Sequence, residues 1–373
     1  MLTRKTPVLA AILLASSQMT YANDLNINGF MSVGAGVLSN DDVTAAGYDD
    51  DVSFNQDTVV ALQVSKQIND STSATTQFVA RGNEDYNTEN SWAYVTYSFD
   101  ENTDLRFGRL RSPFFYYSDF LEVGYAYNWI RPPGEVYSRL DTFSSINGVD
   151  LTRSFSAGSV DGSVQVYYGR FEDSFTPIEK SYTVELRNFG GAVLSLNQGN
   201  WGTRISYHQA DLYMPDLVAN GTGDALEQLV AGAAFLGLND EFSPDGDTAQ
   251  FYEAAITYDN GSSFFIAEWT ALEHETELFL NDQAYLVSVA HRLDDATIHL
   301  TYSADKDEKQ SGNIGLLQNN LRGEESSITL GARFDYDAGT AFKVEAQYID
   351  EELRLGNEGE SAMLYSVAID LVF

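Results

Sequence analysis

The sequence predicts an all-β protein: a closed transmembrane antiparallel β-barrel of sixteen strands, with short turns at one end and long loops at the other. Three observations carry this. Short segments of alternating apolar and polar residues recur through nearly the whole chain. The connections between them alternate between tight turns and long loops. The chain also ends on an aromatic strand, with Met363, Tyr365, Val367, Ile369, Leu371 and Phe373 on one face and Ala362, Ser366, Ala368 and Asp370 on the other. A soluble sandwich buries such an apolar face against a second sheet. A membrane barrel turns it to lipid and its small or polar face to the lumen.

Residues 1–22 read as a cleaved secretory signal. Arg4 and Lys5 supply its positive start, residues 8–15 its apolar core, and Thr20-Tyr21-Ala22 a small-residue cleavage site. One domain, 23–373, follows. The apolar core is too short to span a bilayer as a helix, which takes roughly 20 residues, and no later segment reaches that length. Membrane integration then requires a closed barrel, in which every backbone polar group is paired. The formal charge of −34 excludes nucleic acid as a natural partner and implies that many carboxylates sit on solvated loops. There is no cysteine, hence no disulfide framework and no thiolate metal site.

The alternation places strands near 25–36, 55–66, 72–81, 91–99, 104–109, 146–155, 163–170 and 182–195. The remaining eight lie near 201–209, 250–258, 262–272, 283–292, 296–304, 326–335, 341–349 and 360–373. Tight turns of Asn, Asp, Gly and Ser occur at 69–71, 100–102, 197–200, 259–261 and 294–295. Between them run long connections, of which 110–145 and 210–249 are the longest. Proline agrees with this reading. Apart from Pro7, all prolines (Pro113, Pro132, Pro133, Pro177, Pro215 and Pro244) fall in long connections, as a closed barrel with no edge strand demands.

Parity assigns the faces. Val60, Leu62 and Val64, Tyr97 and Phe99, Tyr285, Val287 and Val289, Ile298, Leu300 and Tyr302, and Ile328, Leu330 and Phe334 face lipid, with aromatics near strand ends forming interfacial girdles. One helix is expected, over 224–238. There Leu226, Leu229, Val230 and Ala233 recur at helical spacing and Asp224 with Glu227 forms a capping pair. It belongs to a long loop, across or into the barrel mouth.

With its export signal, strand count, turn–loop alternation and terminal segment Tyr365-Ser366-Val367-Ala368-Ile369-Asp370-Leu371-Val372-Phe373, the chain resembles the general bacterial outer-membrane porins of Gram-negative cells. The resemblance implies a homotrimer in outer-membrane lipid and lipopolysaccharide, passing small hydrophilic solutes and ions. It also implies that Phe373 is an assembly signal and that the third long loop, 110–145, folds into the lumen. The strand-ending Phe107-Gly108-Arg109 is family-like, whereas the Pro-Glu-Phe-Gly-Gly pattern common in such loops is absent.

Opposed charges at a constriction orient polar solutes and tune ion selectivity. The loop offers the acids Asp119, Glu122, Glu135 and Asp141. Strand parity turns Arg81, Arg106, Arg187, Arg204, Arg292 and Arg333 to the lumen, with Lys343 a further candidate. An arginine facing lipid at the midplane costs on the order of 2–4 kcal/mol. Alternatively, these arginines pair with lumenal carboxylates and stiffen the wall. The same loop carries Phe114, Phe115, Tyr116, Tyr117, Phe120, Tyr125, Tyr127 and Trp129, which either anchor it or form a stacking path for sugar rings.

Two other outer-membrane classes stay open, a substrate-selective (for example oligosaccharide) channel and a non-conducting barrel that serves as adhesin or receptor. An enzyme is disfavoured. His208, His274, His291 and His299 show no metal-ligand spacing, and although His291 and His299 lie on adjacent strands and could approach, no nucleophilic serine is marked beside either. The acidic run Asp49-Asp50-Asp51, with Asp41 and Asp42 before it, lacks the ligand alternation and turn glycine of a calcium loop. No cofactor and no metal are expected.

Overall fold

In a computed structural model, which describes residues 25–40, 45–176, 180–354 and 357–373, each strand from the second to the fifteenth pairs antiparallel with the one before it. The first eight are β1 (Leu25–Leu38), β2 (Val59–Asn69), β3 (Thr72–Arg81), β4 (Thr88–Asp100), β5 (Thr103–Arg111), β6 (Ser145–Ala157), β7 (Val160–Phe175) and β8 (Tyr182–Gln198). They continue as β9 (Trp201–Tyr213), β10 (Asp247–Asp259), β11 (Ser263–His274), β12 (Asp282–Leu293), β13 (Ala296–Asp307), β14 (Glu324–Asp337) and β15 (Thr340–Arg354). A two-residue strand, β16 (Asn357–Glu358), pairs only with the end of β15. The last, β17 (Ser361–Val372), pairs with both β15 and β1 and closes the barrel. Sixteen strands therefore make the wall. The expected signal at 1–22 and residues Asp41, Asp42 and Pro177 lie outside the described residues.

Register and exposure confirm the face assignment. Tyr365, Val367 and Ile369 are exposed, while Ala362, Leu364, Ser366, Ala368 and Asp370 alternate with them and are buried. The same alternation runs along β12, β13 and β14, where Tyr285, Val287, Val289, Ile298, Leu300, Tyr302, Ile328, Leu330 and Phe334 point outward. Several strands run past their expected ends at the long-loop side. β7 continues through Glu172 and Asp173 to Phe175, and β15 through Asp350 to Arg354. These extensions rise beyond the apolar band, so the ladder persists although the apolar alternation that marks it in sequence has stopped. β2 instead starts at Val59, because the Thr58 hydroxyl donates to Phe54 O (2.5 Å) and holds the preceding residues in a turn.

Gly108, Gly148 and Gly169 stand in register across β5, β6 and β7. A Cβ at any of them would lie 2.2–2.4 Å from a neighbouring strand's carbonyl oxygen. Only glycine permits this close approach, which creases the wall at that level. In the loop after β9 lies α2 (Ala225–Leu236), with the Asp224 side chain accepting from Glu227 N as the sequence predicts. Leu226, Leu229 and Ala233 join the large apolar cluster inside the long-loop end of the barrel. Two short helices, α1 (Gly134–Tyr137) and α3 (Gly312–Gln318), also sit in loops.

Candidate functional site

The segment between β5 and β6 folds into the barrel, and its sequence explains why. Phe114, Phe115, Tyr117, Tyr127, Trp129, Val136 and Tyr137 are all buried. They share one apolar cluster with the lumenal side chains Tyr167, Val184, Leu186, Phe189, Phe251 and Ile266. Each large apolar side chain withdrawn from water contributes about 1.5–3 kcal/mol, so this aromatic run drives the loop against the wall.

Polar clamps fix its path. The Arg204 guanidinium donates to Phe114 O (3.1 Å) and Pro113 O and pairs with Glu253 at 2.6 Å. Glu268 accepts from Tyr116 N (2.9 Å) and from the Tyr137 hydroxyl. Trp129 Nε1 donates to Thr301 Oγ1 (2.8 Å), Ile130 N to Glu345 Oε1 (2.9 Å), and Arg333 to Tyr125 O and Tyr127 O (2.7 and 2.9 Å). The Lys343 ammonium donates to Gly124 O (2.6 Å) and Trp129 O and lies 2.8 Å from Asp370. The loop's backbone thus replaces water around charges that the wall would otherwise bury unsatisfied.

Because the loop leans on β9 to β17, polar space remains beside β2 to β5. A cavity of about 490 Å³ opens there, lined from the wall side by Asp57, Arg81, Glu84, Glu89, Arg109 and Arg111 and from the loop by Glu122, Arg131 and Asp141. Arg81 donates to Glu122 at 2.6 Å, to Glu89 at 2.7 Å and to Glu84 at 3.2 Å. Arg111 reaches the same Glu122 oxygen at 3.2 Å. Arg131 grips both Asp57 oxygens, at 2.9 and 2.5 Å, and the Tyr48 hydroxyl donates to Asp57 at 2.6 Å. Burial alone would raise the Asp57 carboxyl, yet the Arg131 pair and the Tyr48 hydrogen bond hold it below the usual range. Asp141 is open to the cavity but enclosed by the barrel, and that enclosure pushes its carboxyl up to about 6 against the pull of Arg111. Arg109 makes no ion pair among the described residues, and its Nε has no hydrogen-bond partner.

Of the four acids named from sequence, Glu122 and Asp141 line this cavity and two do not. Glu135 is buried against the β13 wall, where it accepts from the Ser303 hydroxyl (2.8 Å). Asp119 is exposed and acts on Arg106, which pairs with Asp150 at 2.9 Å. Of the six arginines, Arg81 lines the cavity. Arg204 and Arg333 face inward but are committed to the loop backbone. Arg292 pairs with Asp259 at the short-turn end (2.8 Å).

Arg187 is a correction. A bulge at Asn188 (φ 49°) shifts the register between Arg187 and Gly190 and reverses the parity. Arg187 therefore shares the outer face with Tyr213, over whose ring it lies at 4.0 Å, while Leu186 and Phe189 turn inward. Arg109 escapes alternation for another reason. It has the opposite parity to Arg106, so alternation turns it outward, yet it lines the cavity next to Gly108, which sits at φ 134°. The sequence reading also missed Arg111, Arg131, Asp57, Glu84 and Glu89, which stand at strand ends or in loops where alternation says nothing.

Two histidine expectations change as well. His291 and His299 do not approach, since His299 is buried facing inward beside Glu345 and His291 is exposed on the outer face. A serine does stand beside His291: Ser263 Oγ lies 2.9 Å from its Nδ1, at the short-turn end.

No protein-family model matches the sequence, and no curated protein is recognisably related to it by sequence. Solved structures do match. OmpF of Salmonella typhi, in complex with daunomycin, is 14% identical with a TM-score of 0.63, over 94% of this chain and 98% of that one. OmpT, an outer-membrane protein of Vibrio cholerae, is 12% identical with a TM-score of 0.61, over 95% and 100%. An anion-selective porin from Comamonas acidovorans is 11% identical with a TM-score of 0.58, over 94% and 100%. At such identities the likeness shows the fold, a closed sixteen-stranded antiparallel barrel of the kind found in bacterial outer-membrane porins.

Proposed function

We propose that the chain is an outer-membrane channel giving passive passage to small hydrophilic solutes and ions. The polar cavity between the wall and the inward loop carries this reading. It sets Arg81, Arg109, Arg111 and Arg131 among Asp57, Glu84, Glu89, Glu122 and Asp141, a transverse field that aligns dipolar solutes and admits hydrated ions. In this reading 110–145 is the constriction loop, residues 1–22 are removed on export, and the barrel assembles as a homotrimer in outer-membrane lipid and lipopolysaccharide. A strongly acidic protein concentrates cations at its mouth, so the channel prefers cations modestly.

Recording purified protein in a planar bilayer tests the proposal. Conductance steps without added substrate, arriving in groups of three, support a trimeric diffusion pore. A silent bilayer despite inserted protein leaves a non-conducting adhesin or receptor. Current that flows freely and is blocked by one oligosaccharide at micromolar levels indicates a substrate-selective channel instead.

A further inference from the structure

Next to the polar cavity, with Thr142 in the wall of both, the barrel holds a second cavity of opposite character. It has a volume of about 250 Å³. Phe143, Phe175, Phe189, Leu186, Leu212 and Phe279 form most of its apolar wall. The Phe143 and Phe175 rings are 5.8 Å apart, and Phe175 and Phe279 6.3 Å. An apolar protein cavity of about 150 Å³ stays dry and takes up benzene, so this one has room for a bicyclic ring, which aromatic walls receive in edge and offset contacts.

Its polar rim is specific. Arg139 pairs with Asp282 and also faces Asp307, so one guanidinium stands among two carboxylates and the lining keeps one negative charge in excess. One Asp307 oxygen accepts from Gly323 N (2.6 Å). His274 also lines the cavity, and its buried Nδ1 has no hydrogen-bond partner. A buried polar atom left unpaired costs about 1–3 kcal/mol, which a donor brought in by a ligand would recover.

We propose that this cavity is a binding site for a small aromatic amine, with the ring among Phe143, Phe175 and Phe189 and the ammonium donating to Asp307 and to His274 Nδ1. An ammonium complements the rim, since it balances the carboxylate that Arg139, shared between Asp282 and Asp307, leaves in excess and brings the proton that Nδ1 can accept. An aromatic carboxylate of the same size meets repulsion from Asp307 and offers His274 Nδ1 no donor. The site does not depend on conduction, so it stands or falls separately from the channel reading.

Isothermal titration calorimetry of the full-length barrel in lipid nanodiscs, with empty nanodiscs as the blank, tests the site using tryptamine and indole-3-propionate. We expect saturable tryptamine binding at one per chain and at least tenfold weaker binding of the propionate. Ala210→Trp, which fills the cavity, lowers tryptamine affinity at least tenfold; should it fail to fold, Ala249→Phe, directly across the β9–β10 pairing, fills the same space. Asp307→Asn, which keeps the acceptor for Gly323 N, lowers tryptamine affinity about tenfold and narrows the gap to the propionate. Heat equal to that of empty nanodiscs, or undiminished tryptamine binding by the folded filling variants, overturns the site. Equal binding of the amine and the acid overturns the choice of ligand.

Discussion

Arg81 Nη2 lies 2.6 Å from Glu122 Oε1, and this contact joins the β3 wall to the inward loop across the polar cavity. Because Arg111 shares the same carboxylate oxygen, Glu122 is the counter-charge for two guanidinium groups. Removing it therefore alters the local field by more than the loss of one isolated surface carboxylate. Asp119, by contrast, is exposed and outside the cavity lining.

In bilayers under a salt gradient, Glu122→Gln should shift the reversal potential toward anions, and Arg81→Ser should shift it toward cations. Asp119→Asn and Arg106→Gln should each move it less than their counterparts in the cavity. All shifts should shrink as salt rises, since the Debye length is about 10 Å at 0.1 M and about 3 Å at 1 M. If neither Glu122→Gln nor Arg81→Ser moves the potential, the polar cavity is not the narrowest part of the path.

A pH dependence follows from Asp141, whose carboxyl is pushed up to about 6. Above that value it is a carboxylate, and below it the side chain is neutral. Cation preference should therefore fall as pH drops from 7 to 5, the range in which an ordinary aspartate with a pKa near 3.9 would stay ionised. Asp141→Asn should show the low preference already at pH 7 and lose the dependence across that window. A wild-type reversal potential that stays flat from pH 7 to 5 would contradict the assignment.

The architecture was legible because a barrel wall imposes one simple rule, a period of two, on nearly every strand. Turn chemistry and proline placement then fix where the rule is interrupted. The site was legible only where that rule holds unbroken. At Arg187 a bulge inverts the parity, so an inward assignment from alternation fails there, while Arg109 lines the cavity although its parity differs from that of Arg106, and so escapes notice. Glu135, Arg204 and Arg333 fail differently. Their faces are right or free, but their partners are set by the path of a loop thirty-three residues long, and Arg204 meets Pro113 O from ninety-one residues away. Such long-range contacts leave no periodic trace. The aromatic run from Phe114 to Trp129 did leave one, and anchoring rather than an open stacking path accounts for the burial of Phe114, Phe115, Tyr117, Tyr127 and Trp129.

The loop clamp at Lys343 can be broken by itself. Lys343→Met removes the ammonium from Gly124 O and Trp129 O and leaves Asp370 buried with the Ser32 hydroxyl as its remaining donor at 2.6 Å. Breaking a buried ion pair on one side costs about 3–5 kcal/mol. The temperature at which the folded barrel loses its compact gel mobility should fall, and open-channel current noise should rise as the loop loosens. Adding Asp370→Asn should recover part of the lost thermal resistance, because the uncompensated charge is gone. An unchanged transition temperature in Lys343→Met would show that the pair contributes nothing net.

Barrel closure gives the last prediction. Phe373 N donates to Gly29 O (2.9 Å) and Gly29 N donates to Phe373 O (2.7 Å), so the final residue makes the terminal pair of hydrogen bonds between β17 and β1. The Phe373 ring covers Gly29 so closely that a Cβ there would lie 2.5 Å from it. The ring is itself 62% exposed on the outer face, where it continues the apolar row of Tyr365, Val367 and Ile369. Deleting Phe373 removes two ladder bonds and the aromatic end of that row together, and strand closure is what rids a membrane barrel of its unpaired edges. Insertion of folded barrel into the outer membrane should fall, while export of the processed chain continues and unfolded protein accumulates. Gly29→Val should reproduce part of the defect, because the displaced ring weakens the same closure without altering the C-terminal residue. Heat-modifiable barrel at wild-type levels in the deletion strain would show that closure and assembly do not depend on Phe373.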